Sequence, residues 1–190
     1  MTKHRTNPLD RNDVRLVVLD LEASALGKGS YPIELGIAII EGATNPIQTW
    51  SSLIKPTEDW ETHGLWSPHS QAVHRITIEE LRREGRSIHT LCDTLNALLH
   101  PAVAVVTDAP MYDQVWLDRL FDAAGKMQQF VTYDFERLAG CLTTEEYRNF
   151  VHLLERSVAP HRAGPDALRL ASAVLEARLG YRPQVREIAQ

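Results

Sequence analysis

The sequence predicts an α/β domain built on a mixed sheet, and three observations predict it. Three apolar, β-branched runs fill the first third of the chain, at Leu16 to Leu19, Ile33 to Ile40 and Ile47 to Ile54, with short turns between them. Two further apolar runs follow, at Val103 to Val106 and Phe130 to Tyr133. Segments with apolar residues at helical spacing alternate with those later runs. Short connections make the first three strands an antiparallel meander, whereas strands separated by helices run parallel. The expected architecture is therefore a five-stranded mixed sheet, a three-stranded meander plus parallel strands, with helices on both faces.

Each element has a local reason. Met1 to Asp13 is polar and mixed in charge, has no apolar signal-peptide core, and reads as a loose tail. Leu16 to Leu19 is continuously apolar, as a strand covered on both faces must be. Gly27, Gly29 and Pro32 mark the loop from Ala23 to Pro32. Gly36 interrupts the second strand, Glu41-Gly42 and Asn45-Pro46 turn the chain, and Lys55-Pro56 stops the third strand. Thr77 with Glu80 forms a capping-box pattern ahead of Ile78 to Arg83. Ile88, Leu91, Cys92, Leu95, Leu98 and Leu99 share a helical face that Pro101 ends. Pro110 to Ala124 reads as a helix with Val115, Trp116, Leu117, Leu120 and Phe121 as its apolar contacts. Thr143 with Glu146 caps a helix to about Arg156. Pro165 suits the first position of a last helix that carries Leu168, Ala171, Val174, Leu175 and Leu179. Arg182 onward reads as a tail.

Size and composition bound the function. A chain of 190 residues fits a single domain, residues 1–190, with loose tails at about 1–13 and 182–190. No apolar stretch is long enough to span a membrane. Cys92 and Cys141 have no metal or redox spacing and read as reduced thiols, so a cytoplasmic location is expected. The net charge of -5 disfavours a broad basic face that grips long nucleic acid. It is compatible with a local site that holds a few phosphates through metal ions.

Asp20-Leu21-Glu22, closing the first strand, is the most informative triplet. Strand alternation sends Asp20 and Glu22 to one side. Two like charges side by side at the end of a buried strand are costly unless a cation sits between them. Mg²⁺ takes oxygen ligands, keeps several waters, and needs only a few carboxylates. Two more acidic residues sit at helix starts. Asp113 lies in the opening turns of the helix that follows the strand Val103 to Val106, and it can point back at the pair if that strand neighbours the first. Asp166 lies in the first turn of the last helix, with His161 in the loop before it. Asp108 reads as an N-cap and Asp118 as a solvated residue.

This ordered set resembles the DEDDh branch of the DnaQ-like 3′–5′ exonucleases, which have a ribonuclease-H-like fold. The resemblance covers the chain from about Arg15 to Leu179. Asp20-Leu21-Glu22 matches the first motif, Asp113 with Trp116-Leu117 the second, and the His-x-x-x-x-Asp of His161 and Asp166 the third. Ala72-Val73-His74-Arg75-Ile76-Thr77 is similar to the segment that leads into the family's first helix. Two places depart from the family pattern: Asp108-Ala109, where a polar pair such as His-Asn is common, and Ala23-Ser24-Ala25-Leu26, where Thr-Thr-Gly is frequent.

The resemblance implies a metal-dependent exonuclease that releases nucleoside monophosphates from the 3′ ends of single-stranded DNA or RNA. It implies that Asp20, Glu22, Asp113 and Asp166 hold two Mg²⁺ or Mn²⁺ ions, and that His161 takes the proton of the attacking water. It also implies that Leu26 wedges against the terminal base, with Ala23, Ser24 and His74 lining the substrate. Bottom-up, His74 reads equally as a packed residue, and Trp60 and Trp66 either stack on a base or are buried against the sheet. The rival reading is a catalytically weak nucleic-acid-binding or adaptor module on the same fold. A weaker third is a phosphodiesterase of small nucleotides. A homodimer is left open.

Overall fold

The computed structural model describes residues 7–100, 102 and 104–188. The expected helix stop at Pro101 and strand start at Val103 concern residues outside those described. Strands run Leu16–Ala23 (β1), Pro32–Ile40 (β2), Ile47–Leu53 (β3), Ala104–Thr107 (β4), Thr132–Asp134 (β5) and Val185–Glu187 (β6). Helices run Glu58–His63 (α1), Pro68–His74 (α2), Ile78–Glu84 (α3), Ile88–Leu99 (α4), Pro110–Ala124 (α5), Glu136–Ala139 (α6), Thr144–Glu155 (α7) and Ala163–Leu179 (α8). The sheet order is β5-β4-β1-β2-β3-β6. β1, β2 and β3 form the antiparallel meander, while β4 joins β1 and β5 joins β4 in parallel.

The sheet has six strands rather than five. The extra one is β6, a parallel addition to the edge of β3, where a tail is expected from the sequence. Its three residues are all exposed, so no burial pattern betrays it. The N-terminal tail is also not loose over its described part. Asn7 caps a short 3₁₀ turn at Pro8–Asp10, Leu9 is fully buried, and Asp10 pairs with Arg178 at 2.7 Å. β5 starts two residues later than the apolar run Phe130 to Tyr133 suggests, and it pairs with Val105 to Thr107 of β4.

Strand alternation sorts the core into two layers. Val17, Leu19 and Leu21 of β1 face a layer containing Leu91, Leu95, Trp116 and Leu120 from α4 and α5. Leu16 and Val18 face the layer of Ala167, Leu170, Ala171 and Val174 from α8, with Phe150 of α7 behind it. The α4 face is as expected; in α5, Val115 is exposed instead of packed. Both capping boxes, Thr77 with Glu80 and Thr143 with Glu146, are present. α8 starts at Ala163, two residues before Pro165, with Arg162 as its N-cap.

The row of side chains on the α8 side of the sheet sets up everything that follows. In β1 that row continues from Leu16 and Val18 to Asp20 and Glu22. In β2, Ala38 and Ile40 share the α8 side, so Gly36 and Glu34 extend the same row. The register sets Asp20 opposite Gly36 and Glu22 opposite Glu34. Gly36 has no side chain for a physical reason. A Cβ there would meet the backbone of Ala163 and Gly164 at 2.2 Å. α8 thus rests its first turn directly on β2, beside the carboxylates.

Candidate active site

β1 pairs with β4 only as far as Val18 and Val106, while it stays paired with β2 to its end. The two parallel strands therefore part at their C-terminal ends. A crevice opens there, the place where α/β sheets bind ligands. Asp20 and Glu22 sit on one wall, and α8 brings Asp166 down onto them. Asp20, Glu22 and Asp166 each offer a carboxylate oxygen, and these atoms lie within 4.8 Å of one another. Asp166 also accepts the N–H of Arg162 at 3.1 Å, which fixes it within the helix start.

Asp113, the fourth acid, comes from the first turn of α5 as expected. It is 1 % exposed and accepts a hydrogen bond from the hydroxyl of Thr107 at the end of β4. It is not one of the close triplet. Its charge is nonetheless the strongest neighbouring influence on Asp20. The expected Asp108 N-cap is not formed, because Ala109 holds that position without a side-chain bond. Asp108 instead adds to the repulsion felt by Asp20 and Asp113.

The electrostatics are those of buried carboxylates crowded together. Burial, then repulsion from Asp113, Glu22, Asp108 and Asp166, pushes the Asp20 carboxyl up to about 10. Burial, then Glu34 and Asp166, pushes Glu22 up to about 7, with Arg162 opposing. Burial and Asp108 push Asp113 up to about 8. Carboxylates crowded in this way fit a hard divalent cation, which takes oxygen ligands and offsets their repulsion.

His161, in the loop just before α8, is exposed and has a left-handed backbone conformation (φ 54°). Among the described residues its side chain has no hydrogen-bond partner. The residue after it, Arg162, makes a two-pronged contact with Glu34 at 2.9 and 2.7 Å. Sequence reasoning missed this pair. The available signal was a lone acid, Glu34, inside the apolar run of β2.

The substrate-side residues divide. Leu26 is 70 % exposed on the loop between β1 and β2. That loop is pinned to α5, because Trp116 Nε1 donates to Ser30 Oγ at 2.9 Å and Arg119 donates to Ser30 O at 2.8 Å. Ala23 is buried. Ser24 is fully buried and its polar groups are used within the protein: its hydroxyl donates to Leu65 O and accepts from Tyr31 N–H, and its backbone bonds Tyr31 and Ser67. A substrate hydrogen bond from Ser24 therefore has no group left to make it.

His74 is 2 % exposed, and burial drives its pKa down to about 4. Its Nδ1 accepts from Ile76 N–H at 3.0 Å, so the neutral ring carries its proton on Nε2, which has no partner among the described residues. Trp60 is buried and stacked on Tyr31 at 5.4 Å, whereas Trp66 is half-buried and donates to Gln71 at 3.0 Å.

No protein-family model matches the chain. No curated protein matches it either. Solved structures do match. E. coli exonuclease I in complex with a dA16 oligonucleotide is similar at a TM-score of 0.66 and 15% identity, over 88% of this chain and 42% of that one. A moderately thermophilic exonuclease I from Methylocaldum szegediense gives 0.64 and 13%, over 88% and 41%. A 3′-exonuclease described for 3′-end-specific recognition of a histone mRNA stem-loop gives 0.65 and 13%, over 92% and 66%. The chain thus spans about two fifths of the exonuclease I chains, and at this identity what it shares with all of them is the exonuclease fold.

Proposed function

We propose that this chain is a metal-dependent 3′–5′ exonuclease acting on single-stranded DNA or RNA. The observation that carries the reading is the convergence of Asp20, Glu22 and Asp166 from two elements far apart in sequence. Asp113 beside them and the exposed His161 in the loop that leads into α8 support it, as does a fold shared with nucleases, one of them bound to an oligonucleotide. Asp20, Glu22, Asp113 and Asp166 would hold two Mg²⁺ or Mn²⁺ ions. When bound, the ions supply positive charge that acidifies an attacking water and offsets charge on the departing 3′ oxygen.

The chain's own residues do the rest. Asp20 and Glu22, fixed on a strand paired along its β2 side, would hold the ions at a defined place beside the substrate phosphate. His161, exposed and without a side-chain hydrogen bond among the described residues, accepts the proton of the water at a ring nitrogen. Leu26 packs on the terminal base and helps separate it from its neighbour. The buried His74 and Ala23 shape the wall behind that base. The cytoplasm is the proposed location. The comparisons lend a homodimer no support, and it is not carried forward.

The test is release of mononucleotides from a 3′-labelled oligonucleotide, with Mn²⁺ and with a chelator. Metal-dependent shortening from the labelled end supports the reading. Binding without shortening favours the adaptor role, and cleavage confined to mononucleotide esters favours the small phosphodiesterase.

A further inference from the structure

Glu34 is the most deeply buried carboxylate outside the acidic set, and its side chain is 5% exposed. It lies on β2 directly opposite Glu22, on the side that faces α8. A charge in that position persists only if several donors satisfy it. Three do: Arg162 Nε at 2.9 Å, Arg162 Nη2 at 2.7 Å, and the backbone N–H of Ala163 at 2.9 Å. One carboxylate therefore grips the two residues that directly follow His161. From the other side Asp166 holds the Arg162 N–H at 3.1 Å.

We propose that Glu34 and Arg162 form a clamp that positions His161, acting as positioning residues of the nuclease site; this rests on the exonuclease reading above. His161 needs such a clamp. Its backbone is left-handed, a conformation that a residue other than glycine keeps only where its surroundings over-determine it. Its ring has no hydrogen bond of its own among the described residues, so the backbone that carries it is what the surrounding contacts hold in place. The clamp is not the sole attachment of α8 to the sheet, because the bare backbone at Gly36 also lies directly against Ala163 and Gly164. The planar fork of arginine fixes both distance and angle, which the single point charge of a lysine does not.

The experiment uses the full chain. Arg162→Lys keeps the charge and loses the fork. It should lower kcat about 10- to 100-fold through misplacement of His161, with KM for the oligonucleotide and Tm unchanged. Glu34→Gln should lower kcat alike, and should also lower Tm because it removes the buried charge that the Arg162 and Ala163 donors satisfy. In a His161→Ala background neither change should lower the rate further. In metal-free protein, both should shift the ring NMR signals of His161 and leave those of the exposed His69 in place. Losses that add to that of His161→Ala, or a lowered Tm with full kcat, would show that the pair only staples the fold. Should Glu34→Gln fail to fold, Arg162→Lys decides alone. If the parent chain shortens no oligonucleotide, the exonuclease reading falls, and the NMR shifts still decide whether the clamp sets the His161 ring.

Discussion

Replacing Asp20 with Asn removes a charge and keeps the shape, and its effect on stability can be worked from the site. Without metal the Asp20 carboxyl is held up at about 10, chiefly by burial and then by Asp113. A carboxyl raised in the folded state keeps a proton that the unfolded chain releases. Stability therefore falls as pH rises from the unfolded value, about 4, through the folded one. At pH 7.5 the gap is roughly 3.7 units at about 1.4 kcal/mol each, a ceiling of about 5 kcal/mol. Solvent at the crevice mouth and relaxation of the cluster screen most of it, leaving about 1–2 kcal/mol. For a chain of this size that is about 3–6 °C in Tm. At pH 5 the gap is roughly 1.2 units, so the gain shrinks to about a third.

Melting in a chelator should therefore show Asp20→Asn more stable than the parent at pH 7.5, with the advantage mostly gone at pH 5. Mn²⁺ should reverse the order at pH 7.5, because the parent, with all four acids, gains more from the metal. Cleavage should fall about 10³-fold or more. A variant no more stable than the parent in chelator, or equally stabilised at both pH values, would refute the reasoning.

Three further outcomes are expected. His161→Ala should lose about 10²–10⁴-fold in rate at neutral pH and recover partly as hydroxide rises; an unaltered pH–rate profile would remove His161 from the chemistry. Leu26→Ala should raise KM on oligonucleotides more than on a nucleoside phosphate aryl ester, which has no penultimate base, and equal effects in steady-state assays would make Leu26 a packing residue. Gly36→Ala would drive a Cβ to 2.2 Å from the backbone of Ala163 and Gly164; it should cost about 3 kcal/mol or more in chemical denaturation and weaken Mn²⁺ binding in calorimetry, since Asp166 must shift with α8.

The central part of the fold was legible because its signals are local. Leu16 to Leu19, the meander turns and the caps at Thr77 and Thr143 act through near neighbours in the chain, and α5 spans Pro110–Ala124 as its spacing dictates. What escaped depends on distant partners. β6 is a strand only because β3 offers it a free edge, and Pro8–Asp10 is ordered because α8 supplies Arg178. Helices α1 and α2 were missed despite caps at Thr57 and the Ser67-Pro68 step, since six and seven residues are too few to show a period.

In the candidate site, the motif acids could be read from order and spacing, and the structure brings three of them together. Glu34 and Arg162 could not be paired from the sequence, being 128 positions apart. The early start of α8 follows from the same contact. Glu34 takes the Ala163 N–H and Asp166 takes that of Arg162, so the helix can open before its proline.

The contact between Gly36 and Gly164 limits which side chains the helix start can carry. The spacing of α8 from the sheet near the carboxylates is set by one backbone lying on another, with Ser51 also only 2.8 Å from where a Gly164 Cβ would stand. Any side chain added at Gly36 or Gly164 would therefore lift the helix start that carries Asp166 away from β1, however well the two core layers were packed.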